Sequence, residues 1–71
     1  MPKQPTLKDL NSDEYLHGFI AGARDAAKVT NNDEEDKLFS WIHKQLVDWG
    51  CDPVRVTLLL IKNKKFGRLQ A

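Results

Sequence analysis

Asp52-Pro53-Val54-Arg55-Val56-Thr57-Leu58-Leu59-Leu60-Ile61-Lys62-Asn63-Lys64-Lys65 is the stretch that decides the fold of this 71-residue chain. Asp52 offers a side-chain cap and Pro53 brings the fixed φ of a first helical position, so the segment opens as helices do. Lys62, Lys64 and Lys65 suit the negative end of such a helix, and Gly67 supplies a stop. A strand code overlaps this one. Val54, Val56, Thr57 and Ile61 are β-branched, and Lys62-Asn63-Lys64-Lys65 can turn a hairpin back through Phe66 to Leu69. Capping and spacing agree with each other, so a helix over 53–66 is expected. The alternative is an α+β domain of two helices and a C-terminal β-hairpin.

Upstream, two amphipathic helices are plainer. Asn11 can cap the first, with Glu14 completing a capping box and Leu10 stapling onto Tyr15. Leu16, Phe19, Ile20, Ala23 and Ala27 then share one face of a helix over 12–28. Asn32 with Glu35 forms the same box for a second helix over 33–49, and Asp33 to Asp36 load its first turn with negative charge. Its apolar stripe is Leu38, Phe39, Ile42, Leu46 and Trp49, and Gly50 ends it. The expected architecture is a compact all-α, three-helix domain spanning 11–71. Residues 1–10, with two prolines, read as a flexible N-terminal arm.

With 30% charged and 41% apolar residues, the composition is that of an ordinary globular domain. So short a chain buries only about 60% of its unfolded surface, so its stability margin is thin. Cys51 is the only cysteine, which excludes an internal disulfide and suits a reducing compartment. The N-terminal residues lack the apolar run of a signal peptide, and no stretch approaches the roughly 18–20 apolar residues of a membrane span. A cytoplasmic protein is expected, with no membrane partner. Net charge is +1, but residues 1–51 hold six basic and nine acidic groups (−3), against five and one (+4) in residues 52–71. That polarity suits helix dipoles, or a partner at the C-terminal end.

The last helix is apolar on two sides. Val54, Leu58 and Ile61 form the face expected to meet the other helices, while Val56, Leu59 and Leu60 fall roughly 120–160° around. Three short helices cannot enclose one of their number, so Val56, Leu59 and Leu60 are expected to form a protein interface, with Trp41 as an added aromatic anchor. The expected partner is a second copy in a two-fold homodimer, another protein, or both.

Catalytic chemistry is not expected. Cys51 lies near Asp48 and Asp52, which disfavour its thiolate. His17 and His43 lack metal-ligand spacing, and Gly18 and Gly22 belong to a helix, not to a phosphate loop. No catalytic residue, metal, cofactor or small-molecule substrate follows from these residues. Leu16-His17-Gly18-Phe19-Ile20-Ala21-Gly22 resembles the helical motif of the LAGLIDADG homing endonucleases, whose helices pack closely through small residues and end in a metal-binding acid. Ala23 occupies the acid position and Arg24 the closing glycine. The resemblance therefore implies a close helix crossing at Gly18, Ala21 and Gly22, inside the domain or between chains, without the family's activity.

The function expected is a small, non-enzymatic interaction module: a regulator, inhibitor or assembly factor. The alternative is a small DNA-binding protein that presents the last two helices as a helix-turn-helix, with Lys62, Lys64, Lys65 and Arg68 on phosphates.

Overall fold

Each helix begins where a side chain can take up backbone N–H groups that the helix itself leaves unpaired. The computed structural model describes residues 5–66 and contains four helices: α1 Leu7–Leu10, α2 Asp13–Ala27, α3 Asn32–Asp48 and α4 Pro53–Asn63. Among the described residues there is no strand, so the domain is all-α and the hairpin alternative falls. Asp52 caps α4 by accepting from the Arg55 N–H at 3.2 Å, and Pro53 occupies the first turn. Capping and packing outweigh the β-branched composition of 54–61. The helix ends at Asn63, three residues short of the expected end at 66.

Part of the expected arm, Leu7–Leu10, forms α1. Thr6 and Asp9 form a reciprocal capping box around α1, and Leu10 enters the core. Asn11 therefore closes α1 and does not open α2; Ser12 caps α2 by accepting from the Tyr15 N–H. In α3 the cap is Asn31, one residue before the expected Asn32. Its Oδ1 accepts the Glu34 N–H, and Glu34 reaches back to the N–H and hydroxyl of Thr30. That register frees Glu35 from capping and turns it inward. Gly50, at φ +113°, lets the chain leave α3 in the left-handed region, where its own N–H and that of Cys51 bond back to Val47 and Leu46.

The core joins α1 to α4: Leu10, Leu16, Ile20, Phe39, Ile42, Leu46, Cys51, Val56, Leu59 and Leu60. Phe19 and Trp49 extend it as a tilted ring pair with centroids 5.7 Å apart. The faces of α4 are the reverse of the expectation. Val56 is 0%, Leu59 4% and Leu60 7% exposed, whereas Val54 is 66%, Leu58 56% and Ile61 61% exposed.

Lys62 supplies the physical reason. At 100° per residue it falls roughly 40° from Leu58, so burying the Val54 face would draw its ammonium group inward. Asn63 is the polar residue aligned with Val56, roughly 20° away, and an amide can be satisfied inside. Its Nδ2 donates to His17 Nδ1 and to the Leu59 carbonyl. Burial of Val56, Leu59 and Leu60 contributes roughly 1.5–3 kcal/mol each, a large share of a total near 5–15 kcal/mol.

Candidate functional site

The outer face of α4 is the largest departure from a satisfied surface. Val54, Leu58 and Ile61 follow one another at spacings of four and three residues and leave one apolar stripe exposed. Beside the stripe runs an open groove of about 490 Å³ between α3 and α4. Phe39, Leu60 and Ile61 give it apolar walls, and Asp36, His43 and Lys64 mark its rim.

Two polar contacts fix the groove. At one end, Lys64 Nζ donates to Asp36 Oδ1 at 2.7 Å. Towards the other, Thr57 Oγ1 donates to the Pro53 carbonyl at 2.9 Å, so its lone pairs face His43. His43 Nε2–H accordingly donates towards both Thr57 Oγ1, at 3.1 Å, and Pro53 O, at 3.2 Å. Asp36, Ser40 and His43 thus line one groove without forming a nucleophilic relay. The histidine is directed at α4 and the carboxylate holds a lysine.

On its other flank α4 is clamped to the end of α1 and the start of α2. Arg55 donates to the Leu10 carbonyl at 2.7 Å and, through Nε and Nη2, to Asp13 Oδ1 at 3.2 and 2.6 Å. The guanidinium hydrogen bond holds the Asp13 carboxyl below its ordinary range. The Thr30 backbone N–H, and then its hydroxyl, do the same for Glu34.

Glu35 is the functional-group surprise. It is fully buried, and its two oxygens accept the backbone N–H groups of Lys65 (2.7 Å) and Phe66 (2.9 Å). Arg24 Nη1 lies 3.8 Å from it and donates to the Asn63 carbonyl. One arginine and one carboxylate therefore tie off the C-terminal end of α4. Every oxygen is answered, which is the chemistry of a structural clamp and not of a reacting acid.

The residues expected at the interface do not come together on the surface. Val56 and Leu59 are core residues on the inner face of α4, and Leu60 is buried save for the edge it gives to the groove wall. Trp41 is 54% exposed, but it falls roughly 160° around α3 from His43, away from the groove. Of the expected phosphate contacts, Lys64 is paired with Asp36, Lys62 and Lys65 are exposed, and Arg68 lies outside the described residues. Cys51 is buried, and burial pushes its thiol up, away from nucleophilic character. Among the described residues no three His, Cys, Asp or Glu side chains gather as a metal set, and no helix is long and apolar enough to cross a membrane.

Within the domain there is no close crossing at the small residues of α2. A Cβ added at Gly18 or Gly22 would meet no heavy atom within 4 Å. No family model, curated protein or solved structure matches the chain.

Proposed function

We propose that this protein is a small, non-enzymatic interaction module whose contact surface is the outer face of α4 with the adjoining α3/α4 groove. The observation that carries the reading is the stripe of Val54, Leu58 and Ile61, each more than half exposed on a helix whose other face is already core. Full burial of such side chains is worth about 1.5–3 kcal/mol apiece; with nearly half of each already covered, the stripe retains roughly 1 kcal/mol per residue. Two such stripes together give about 6 kcal/mol, at the lower end of the 4–15 kcal/mol that association costs. The stripe alone therefore supports a weak homodimer at most. A tight complex needs the groove as well.

DNA binding fits less well. A recognition helix presents donors and acceptors to base edges, whereas the outer face of α4 is aliphatic. Arg55 and Thr57, the polar groups of its first turns, are engaged within the domain.

A photo-crosslinking amino acid placed at Leu58, in the cells that make the protein, tests the proposal. The expected result is a discrete adduct with a protein, absent when the crosslinker sits at Asp25 on exposed α2 and lost on adding Ile61→Glu. Equal labelling at positions 58 and 25 overturns the reading. So does salt-sensitive binding of duplex DNA by the purified protein without any protein adduct.

A further inference from the structure

We infer that residues 64–66 form a strap latched by Glu35, which opens and closes as one unit while α2, α3 and α4 stay folded. The helix α4 ends at Asn63, and Lys64 takes an extended backbone, with φ −66° and ψ 129°. Beyond that hinge the core gives no anchor. Among the described residues none after Leu60 belongs to the buried core, and Phe66 is not one of the half-buried side chains packed on it.

Polar ties hold the strap instead. Glu35 Oε2 accepts the Lys65 N–H at 2.7 Å and Oε1 the Phe66 N–H at 2.9 Å, while Lys64 Nζ donates to Asp36 Oδ1 at 2.7 Å. The two acceptor residues are neighbours near the start of α3, so one displacement of the strap breaks all three contacts. The end of α4 has ties of its own. Arg24 donates to the Asn63 carbonyl, and the Asn63 amide donates to His17 Nδ1, so α4 stays bound to α2 when the strap lifts.

The buried carboxylate makes the two states close in free energy. Closed, Glu35 is sealed from water and answered by two N–H groups, with Arg24 3.8 Å away. The hydration it has given up offsets much of what those charge-assisted bonds contribute. Open, water answers the carboxylate and the freed N–H groups, and the α3 backbone is unchanged. Opening therefore sacrifices no apolar core, whereas unfolding sacrifices all of it. Lifting the strap also parts Lys64 from Asp36, the pair that closes one end of the α3/α4 groove. The latch thus controls that end of the groove, whatever the groove binds.

Native-state hydrogen exchange of the full-length protein, followed by NMR in urea below the unfolding transition, tests the latch. The Lys65 and Phe66 amides are expected to be protected by about 10- to 1,000-fold, to the same degree within a factor of about three, and with little dependence on urea. The Leu59 and Leu60 amides should be protected about tenfold more or better, and should lose that protection steeply with urea. Glu35→Gln, which leaves a neutral acceptor, should speed both strap amides by about tenfold. Asp36→Asn touches neither amide, yet it should speed both by about two- to fivefold, the worth of an exposed ion pair.

Strap amides with the protection and urea slope of Leu59 and Leu60 would mean that the strap opens only with the whole domain, and the inference fails. Exchange at the rate of an unprotected chain, or no response to Glu35→Gln, removes the latch. If Asp36→Asn leaves both amides unchanged, the ties open separately and there is no single strap.

Discussion

Glu35 is where a single side chain does most to hold the fold. It accepts two backbone N–H groups from the segment after α4 and lies beside Arg24, while being sealed from water. Removing one partner of a buried charge pair costs about 3–5 kcal/mol. Arg24 retains some access to solvent and water can reach the freed N–H groups, so Glu35→Ala is expected to lose about 2–4 kcal/mol. Glu35→Gln, which keeps one acceptor oxygen but turns an amide N–H toward a donor, should lose about half as much. Urea unfolding measures both; a loss below about 0.5 kcal/mol for the alanine variant is incompatible with the clamp. The sequence was ambiguous here for a definite reason. Asn31-Asn32 followed by Glu34-Glu35 satisfies a cap-x-x-Glu pattern in two adjacent registers. Local chemistry is the same in both, and only the need of α4 for an acceptor separates them.

At the scale of the helix, α2 and α4 each corrected an expectation through the same kind of bookkeeping. The Asp52 start of α4, the chain reversal at Gly50 and the helical state of 54–61 were legible because capping residues act within four positions of the site they mark. The caps of α2 and α3 each fell one residue from the expected Asn11 and Asn32, because neighbouring residues there can cap equally well. Which face of α4 turns inward was misjudged from the aliphatic residues alone; Lys62, on the same wheel as Leu58, points to the other answer. Close packing at Gly18 and Gly22 was not legible, since glycine in a helix shows what is permitted and not what occurs. With open space beyond both, their missing side chains only weaken α2. Gly18→Ala and Gly22→Ala are each expected to stabilise the protein by about 0.5–1 kcal/mol, the helix-propensity difference between the two residues. A rise in thermal midpoint checks this. A fall would mean that something packs against this face after all. Gly50→Ala is the contrast. It too has space for a Cβ, but its φ of +113° makes the substitution costly by roughly 1–2 kcal/mol.

Across the whole molecule, the charge imbalance between the first 51 residues and the last 20 becomes a set of ties between helices. Arg55 after the imbalance point reaches back to Asp13 of α2, and Lys64 reaches Asp36 of α3. In sequence, the same polarity suggested dipole compensation, or a nucleic-acid or acidic protein partner, because pairing across 28 or 42 positions leaves no local trace. These ties make stability depend on acid. Asp13 and Glu34 both have their carboxyl pKa lowered in the folded state, by the Arg55 hydrogen bond and by the Thr30 backbone N–H respectively. A depressed folded pKa means that the unfolded chain takes up protons first as pH falls. Their contribution is therefore complete above the ordinary carboxylate range, near about 4, and is lost as pH drops through the lower folded values. The urea midpoint should accordingly be level from about pH 7 to pH 5 and fall below about pH 4. Asp13→Asn should lower the level portion and make the acid fall shallower, because one of the groups that drives it is gone. High salt should reduce the difference between this variant and the wild type at neutral pH, since the Arg55–Asp13 pair faces solvent. If Asp13→Asn leaves the acid limb unchanged in slope and position, α2 and α4 are not coupled through this pair, and the burial of Val56, Leu59 and Leu60 alone must hold α4 in place.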